Sequence, residues 1–410
     1  MLVAVLLLAP ALVGQAQPFT AAQFRADLQY FARELPRRHR NAFHFTTWEQ
    51  FQAAVDRLAA RLDSIDQDAF FAGLKQIASM IGDAHTNVNL PPGSGTIYPI
   101  VVRNFDGAYR VMQALNGYEK ALGTKLVRID DTPATRFYEL LSPLASQNEH
   151  PNYAPALVNV FLRQPELLHG AGVAAKSSAA RFTFEDDSGS EFALDIPALP
   201  PDRLRGVQLV PFAKNPFADM SEPMHTASPT FSYTYAAGAR AVYASVRSMK
   251  EVKTPARELF RFIRERDPDK LIIDLRQNPG GNYFHGLHSL IEPIARLAGI
   301  NRKGHLFVLI GPLTGSAAIV NASQFHTKTQ AILVGEPIGA KPTEYTELRT
   351  MKLPNTHLVV GYSVRFYDFA WDKDNVIRPD QEIRTTWEDV VTGRNTVLEW
   401  CLNYPNSAAR

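Results

Sequence analysis

The chain has 410 residues, 45% apolar and 20% charged, with 43 basic against 41 acidic side chains and a formal net charge of +2. This composition excludes a disordered tail, a collagen-like fibre and a small disulfide scaffold, and the charge is too slight to argue for nucleic acid as a partner. The length supports two or three domains with full hydrophobic cores, and the single cysteine, Cys401, cannot form an internal disulfide.

Leu2 to Val13 is almost purely apolar, and Gly14 and Ala16 are small residues suited to cleavage after Ala16. Residues 1–16 therefore read as a secretory signal peptide, since a run of about a dozen residues is short of the ~20 needed to span a bilayer. The rival reading is a buried N-terminal helix. No other segment is long and apolar enough to cross a membrane.

Residues 17–92 form a helical region: Phe24, Leu28, Phe31 and Leu35, then Phe51, Val55, Leu58 and Leu62, recur at helical spacing. Pro91 to Gly95 breaks it. Residues 93–200 read as a small, mostly β domain. It has a strand pair over Tyr98 to Met112 turning at Asp106-Gly107, a strand in Leu122 to Asp130, a helix over Thr135 to Leu144 and a strand pair over Arg181 to Ile196. Residues 201–228, in a proline-rich stretch without periodicity, read as a linker or cap. In residues 229–410 the rhythm changes: strands at Val242–Val246, Leu271–Leu275, His305–Ile310 and Ala331–Val334 alternate with helices at Pro255–Arg266, Phe284–Ala298 and Ser316–Thr327. That alternation predicts βα units on a sheet covered from both sides.

Two strand-to-helix junctions can carry chemistry. In Leu271-Ile-Ile-Asp-Leu-Arg-Gln-Asn-Pro-Gly-Gly281, paired glycines can expose N–H groups as an oxyanion hole. An ordinary tight turn explains the same residues, and Asp274 and Arg276 can simply pair at the strand end. In Phe307-Val-Leu-Ile-Gly-Pro-Leu-Thr-Gly-Ser316, the serine opens a helix, where its hydroxyl serves either as an N-cap or as a nucleophile. Two bases are available to it. Lys341, in the glycine-bearing loop after Val334, acts as a base if buried, and is otherwise a solvated lysine. His85 stands in Ile81-Gly-Asp-Ala-His85-Thr86, at the end of the helical region. His285 and His288 make half a metal site at most, and no Walker loop, dinucleotide fingerprint or G-x-S-x-G elbow occurs.

Taken together, these residues resemble the C-terminal-processing (tail-specific) serine peptidases and their tricorn-like relatives. Leu271 to Gly281 is similar to that family's "DLRxNxGG" loop, Thr314-Gly-Ser316-Ala to its "TxSA" turn, and Val334 to Lys341 to its "VGEPTxGK" loop. The likeness extends to Gly82–Thr86 ("GDGHT"), to Arg378-Pro-Asp380 and to the closing Asp389 to Leu398 stretch. It implies an α/β protein with a crotonase-like ββα catalytic core, a PDZ-like β domain and a helical N-terminal region. It implies Ser316 as nucleophile, with the N–H of Ala317 and one from Gly280 or Gly281 as oxyanion hole. Relatives of the Ser-Lys type carry Glu and Gln where this chain has Ile319 and Tyr345. In the tricorn-like relatives the base is a histidine in a turn like that of His85, supported by a carboxylate before the "PD" turn, here Asp374 or, less neatly, Asp372. The resemblance implies a serine endopeptidase without cofactor or metal, acting on polypeptides in a secreted or periplasmic setting. The alternative is a catalytically inactive protein on the same fold that binds peptide or an apolar ligand.

Overall fold

The computed structural model describes residues 18–212, 220–369 and 373–405; the segment 1–16, expected to be a signal peptide, and Asp372 lie outside them. Three helices open the chain: α1 (Ala21–Arg38), α2 (Trp48–Ala59) and α3 (Gln67–Ser79). Thr20 with Gln23 and Thr47 with Gln50 form capping boxes, and Asp66 caps α3, so each helix starts where a side-chain oxygen can satisfy its orphan N–H groups. The short strand β1 (Asn87–Asn89) follows. Next come β2 (Ile100–Phe105) and β3 (Ala108–Ala114), joined through Asp106 and Gly107, both at positive φ. Then β4 (Lys125–Ile129), β5 (Ala179–Glu185) and β6 (Glu191–Pro197) complete an antiparallel path in the order β2-β3-β4-β5-β6.

The expected linker ends as a strand. β7 (His225–Ser228) pairs with β8 (Phe231–Ala236), which pairs with β9 (Ala241–Val246). From there β10 (Lys270–Asp274), β11 (Leu306–Ile310) and β12 (Ile332–Gly335) run parallel. β10, β11 and β12 are buried along their whole length, which is why their stretches Leu271–Ile273, Leu306–Ile310 and Ile332–Val334 read as continuous apolar runs. Alternate residues face opposite layers: Leu271, Ile273 and Val308 pack with Leu259 and Phe325 of two helices, whereas Ile272, Phe307 and Val334 pack with Val397, Leu398 and Cys401 near the C-terminus. The sheet is thus covered on both sides, as the alternation predicts. The helix expected over Phe284–Ala298 is present as Tyr283–Ala295, with a π turn at Leu287–Ile291.

One long element is absent from the sequence reading. β13 (Thr343–Lys352) and β14 (Val359–Asp368) form a hairpin, and β1 pairs with β14 to give the order β1-β14-β13. Its turn is anchored on α1, where the buried Asp27 carboxylate accepts the Asn355 and Thr356 N–H groups at 2.9 and 2.8 Å and the Thr356 hydroxyl at 2.6 Å. Replacing Asp27 by Ala strands these donors and is expected to cost about 3–5 kcal/mol, measured by urea unfolding; a loss below about 1 kcal/mol would show that the anchor is dispensable.

Candidate active site

Ser316 sits between β11 and the helix α4 (Ala317–Lys328) with φ 48° and ψ −121°, a left-handed conformation costly for a residue with a Cβ. Its hydroxyl makes no capping bond to the helix, so the N-cap alternative does not hold. Instead Ser316 Oγ lies 3.0 Å from His85 Nε2. The turn carrying the serine is bolted to the glycine loop after β10: the Gly315 N–H donates to the Asn278 carbonyl at 2.8 Å and the Thr314 hydroxyl to the Leu275 carbonyl at 2.9 Å. Asn278, fully buried, in turn donates to the Val246 carbonyl at 2.8 Å. Asp274 and Arg276 pair with each other, at 2.6 Å between Oδ2 and the guanidinium.

Gly280 (φ 114°) lies against the nucleophile, since a Cβ there would stand 2.6 Å from Ser316 Cβ and 2.9 Å from the Ala317 nitrogen. The Gly280 N–H is taken by Asn278 Oδ1 at 2.9 Å. Among the described residues the Ala317 and Gly281 N–H groups find no acceptor, which leaves both able to donate to a group bound beside Ser316.

His85 comes from the turn between α3 and β1, 231 positions before the serine. Buried Asp83 holds that turn: it accepts the His85 and Thr86 N–H groups at 3.2 and 2.8 Å, the Thr86 hydroxyl at 2.8 Å and the Ser363 hydroxyl of β14 at 2.7 Å. The Asn41 N–H donates to His39 Nδ1 at 2.9 Å, so His39 Nε2 carries its proton toward Asp83, 2.9 Å away. Burial pushes the Asp83 carboxyl up, but these donors, His39 first, outweigh it and hold it below the usual carboxylate range.

Burial likewise holds the His85 imidazole below its ordinary value, against the opposing charge of Asp83, so the ring is neutral at pH 7 and able to take a proton. Thr346 Oγ1 also approaches Nε2, at 3.1 Å. On the far side of the ring, His85 Nδ1 lies 3.9 Å from Glu344 Oε1, at the start of β13. That separation suits an ion pair once the ring is protonated, and such contacts tighten in the reacting complex.

The other sequence candidates lie elsewhere. Lys341 Nζ donates to Asn148 Oδ1 at 2.8 Å, and its backbone N–H to Glu149 Oε2 at 2.8 Å, so the lysine is engaged with residues 148–149. Asp374, expected behind the histidine, is 68% exposed and pairs with Arg378 at 3.1 Å. The carboxylate at His85 is Glu344, three positions after Lys341, and the reading of the sequence passed over it because it passed over the hairpin. Ile319 is buried in the core, and the Tyr345 hydroxyl accepts a bond from Asn41 at 3.0 Å. His285 and His288 bond to the Lys250 carbonyl and to Glu292, and no group of three metal ligands occurs among the described residues. No described helix is long and apolar enough to cross a membrane.

No protein-family model matches the sequence, and no curated protein matches it. The structure does superpose on solved structures over nearly their whole length, at identities that show a shared fold. In particular, mature CPAF superposes with a TM-score of 0.62 at 12% identity, over 95% of this chain and 99% of its own. Mature CPAF complexed with lactacystin gives 0.63 at 11% identity, over 94% and 100%. The s499a mutant of CPAF gives 0.63 at 12%, over 94% and 99%.

Proposed function

We propose that this chain is a serine endopeptidase that hydrolyses peptide bonds of secreted or periplasmic polypeptides through Ser316, with His85 as general base. The observation that carries this reading is the 3.0 Å contact between Ser316 Oγ and His85 Nε2 at a serine held with φ 48°. Two residues so distant in the chain meet only because the hairpin and the Asp83 network bring the His85 turn to the mouth of the parallel sheet. In this reading residues 229–410 are the crotonase-like catalytic domain, 93–200 a PDZ-like domain and 17–92 a helical region, joined through 201–228. The apolar leader 1–16 supports export.

The chemistry follows from the geometry. His85 Nε2 takes the Ser316 proton as Oγ attacks the scissile carbonyl, and Ala317 and Gly281 donate to the oxyanion. Glu344 faces the imidazolium that forms, and His85 then returns the proton to the leaving amine. Water repeats the sequence to free the acyl-enzyme.

Two measurements test this. Purified protein should hydrolyse casein and be labelled by a fluorophosphonate at Ser316; the inactive binding protein would hold peptide or an apolar ligand with neither turnover nor label. Because burial lowers the His85 pKa, kcat/KM should stay on its plateau at neutral pH and fall only as acid protonates the ring, with an apparent pKa below about 6.5. An acid limb centred above about 7 would remove His85 as the base.

A further inference from the structure

One stretch of the sequence has no part in the site described above. From Leu35 to Trp48 the chain reads Leu-Pro-Arg-Arg-His-Arg-Asn-Ala-Phe-His-Phe-Thr-Thr-Trp, with three arginines, three aromatic residues and no acid. Arg37 and Arg38, in the last turn of α1, complement the helix dipole. That does not account for the rings that follow. Phe43, Phe45 and Trp48 are 36, 48 and 47% exposed, although the fold buries Phe51, three positions on, completely. Phe366 of β14 is exposed too, at 53%. These side chains form one surface. Phe43 meets Trp48 edge-on, with 5.7 Å between ring centroids, and a Cβ on Gly82 would stand 2.8 Å from the Phe45 side chain. His44 packs on Tyr345 at 4.5 Å and Tyr345 on Phe366 at 5.0 Å, which carries the surface from the start of α2 to the hairpin. A contiguous apolar surface of this kind marks a binding face.

The charge around it selects the partner. Arg33, Arg37 and Arg38 surround Glu34 at 2.9, 3.6 and 3.2 Å, and Arg40 pairs with no carboxylate among the described residues. Four guanidinium groups thus stand against one acid, in a chain whose net charge is only +2. The next acid along the chain is Glu49, beyond the aromatic run. Guanidinium groups fit phosphate oxygens bidentately, and Trp and Phe rings are at home where an apolar layer meets a polar one. A layer of anionic phosphates over hydrocarbon satisfies both halves of the surface. An apolar polypeptide segment would satisfy the rings alone, and a second copy of this face would set its arginines against one another.

We propose that Phe43, Phe45 and Trp48, flanked by Arg33, Arg37 and Arg40, dock this protein on a bilayer surface that carries anionic phospholipid. The rings enter the boundary between headgroups and acyl chains while the arginines hold phosphates. Gly82, against which Phe45 lies, is three positions before His85, so docking brings the His85 turn to the membrane surface. The docking does not depend on what Ser316 does.

The test is sedimentation of the purified protein with vesicles of phosphatidylcholine alone and of phosphatidylcholine mixed with phosphatidylglycerol. Binding should require the anionic lipid and weaken by about tenfold or more when salt is raised to ~0.5 M. The double variant Arg37→Ser/Arg40→Ser should bind about 20-fold more weakly, at about fivefold for each arginine. Trp48→Ser, which removes a half-exposed ring, should weaken binding by about fivefold. Brominated acyl chains in the mixed vesicles should quench the fluorescence of the wild type, and Trp48→Phe should abolish most of that quenching. No association with the mixed vesicles overturns the proposal, as does association that the double variant and Trp48→Ser both leave unchanged. Two outcomes would hand the surface to another occupant and overturn the proposal as well. Trp48→Ser that binds vesicles like wild type but loses affinity for casein would assign it to polypeptide. Light scattering that shows a dimer in wild type and a monomer in Trp48→Ser, without vesicle binding in either, would assign it to a second copy. Vesicle binding is read without turnover, so a protein that fails to cleave or to label at Ser316 defeats the peptidase reading separately.

Discussion

Ser316→Ala and His85→Ala are each expected to lower kcat on a peptide substrate by about 10^4- to 10^6-fold, whereas Lys341→Ala should stay within about tenfold of wild type. In the proposed mechanism the serine supplies the atom that attacks, and among the described residues His85 is the base bonded to its hydroxyl. The lysine meets neither condition: its Nζ is spent on Asn148, and the bond that matters near the site, from its backbone N–H to Glu149, survives truncation to alanine. Because Ser316 and His85 act as a unit, the double variant should be no slower than either single one. Thermal melts check that each variant folds, and initial rates on a fluorogenic peptide give the comparison. Activity retained in His85→Ala and lost in Lys341→Ala would reverse the assignment of the base and return weight to a Ser-Lys mechanism.

Much of this site was legible without coordinates, for identifiable physical reasons. Leu271–Ile273, Phe307–Ile310 and Ile332–Val334 are buried on both faces, so they must be apolar throughout, and a central parallel strand announces itself in that way. The loops that follow them carry glycines where the backbone needs positive φ, as at Gly280 and Gly281, and those marks survive in sequence. The hairpin Thr343–Lys352 and Val359–Asp368 left no such mark. Much of it is half-exposed and rich in charged and aromatic residues, and its pairing is interrupted at Glu347, at φ 59°, so a regular alternation does not develop. Glu344 was lost with it. The resemblance points to Asp374 from its position relative to a motif, and position along a chain cannot say which carboxylate the fold turns toward His85. The place of Asp83 was beyond reach for the same reason, since it holds the His85 turn through partners on other elements. Ser316 shows the limit from the other side: the same residue at the same helix start suits a cap or a nucleophile, and only the position of its Oγ, 3.0 Å from His85 rather than on a helix N–H, separates them.

Gly280→Ala should be the most damaging substitution that removes no functional group, lowering kcat/KM by about 10^2- to 10^3-fold in a protein that still folds. At φ 114° an L-residue is strained whatever the space around it, and here there is none. The added methyl would stand 2.6 Å from Ser316 Cβ, 2.9 Å from the Ala317 nitrogen and 2.9 Å from the Gly315 carbonyl oxygen. Two of these three are backbone atoms of the nucleophile's turn, so relief requires that turn to move as a body, taking with it Oγ and the Ala317 donor. A shift of about 1 Å is enough to cost 10^2-fold in rate, because the serine proton transfer and the oxyanion contacts both depend on the same few atoms. Gly107→Ala is the control. It has φ 91° with nothing within 4 Å of the added Cβ, so it carries the conformational cost without the collision. It should lose about 1 kcal/mol of stability and keep its rate. Measured side by side, the two variants separate strain from displacement: equal falls in kcat/KM would show that the loop after β10 does not set the position of Ser316, whereas a loss confined to Gly280→Ala, with fluorophosphonate labelling slowed in parallel, would tie that glycine to the placement of the nucleophile.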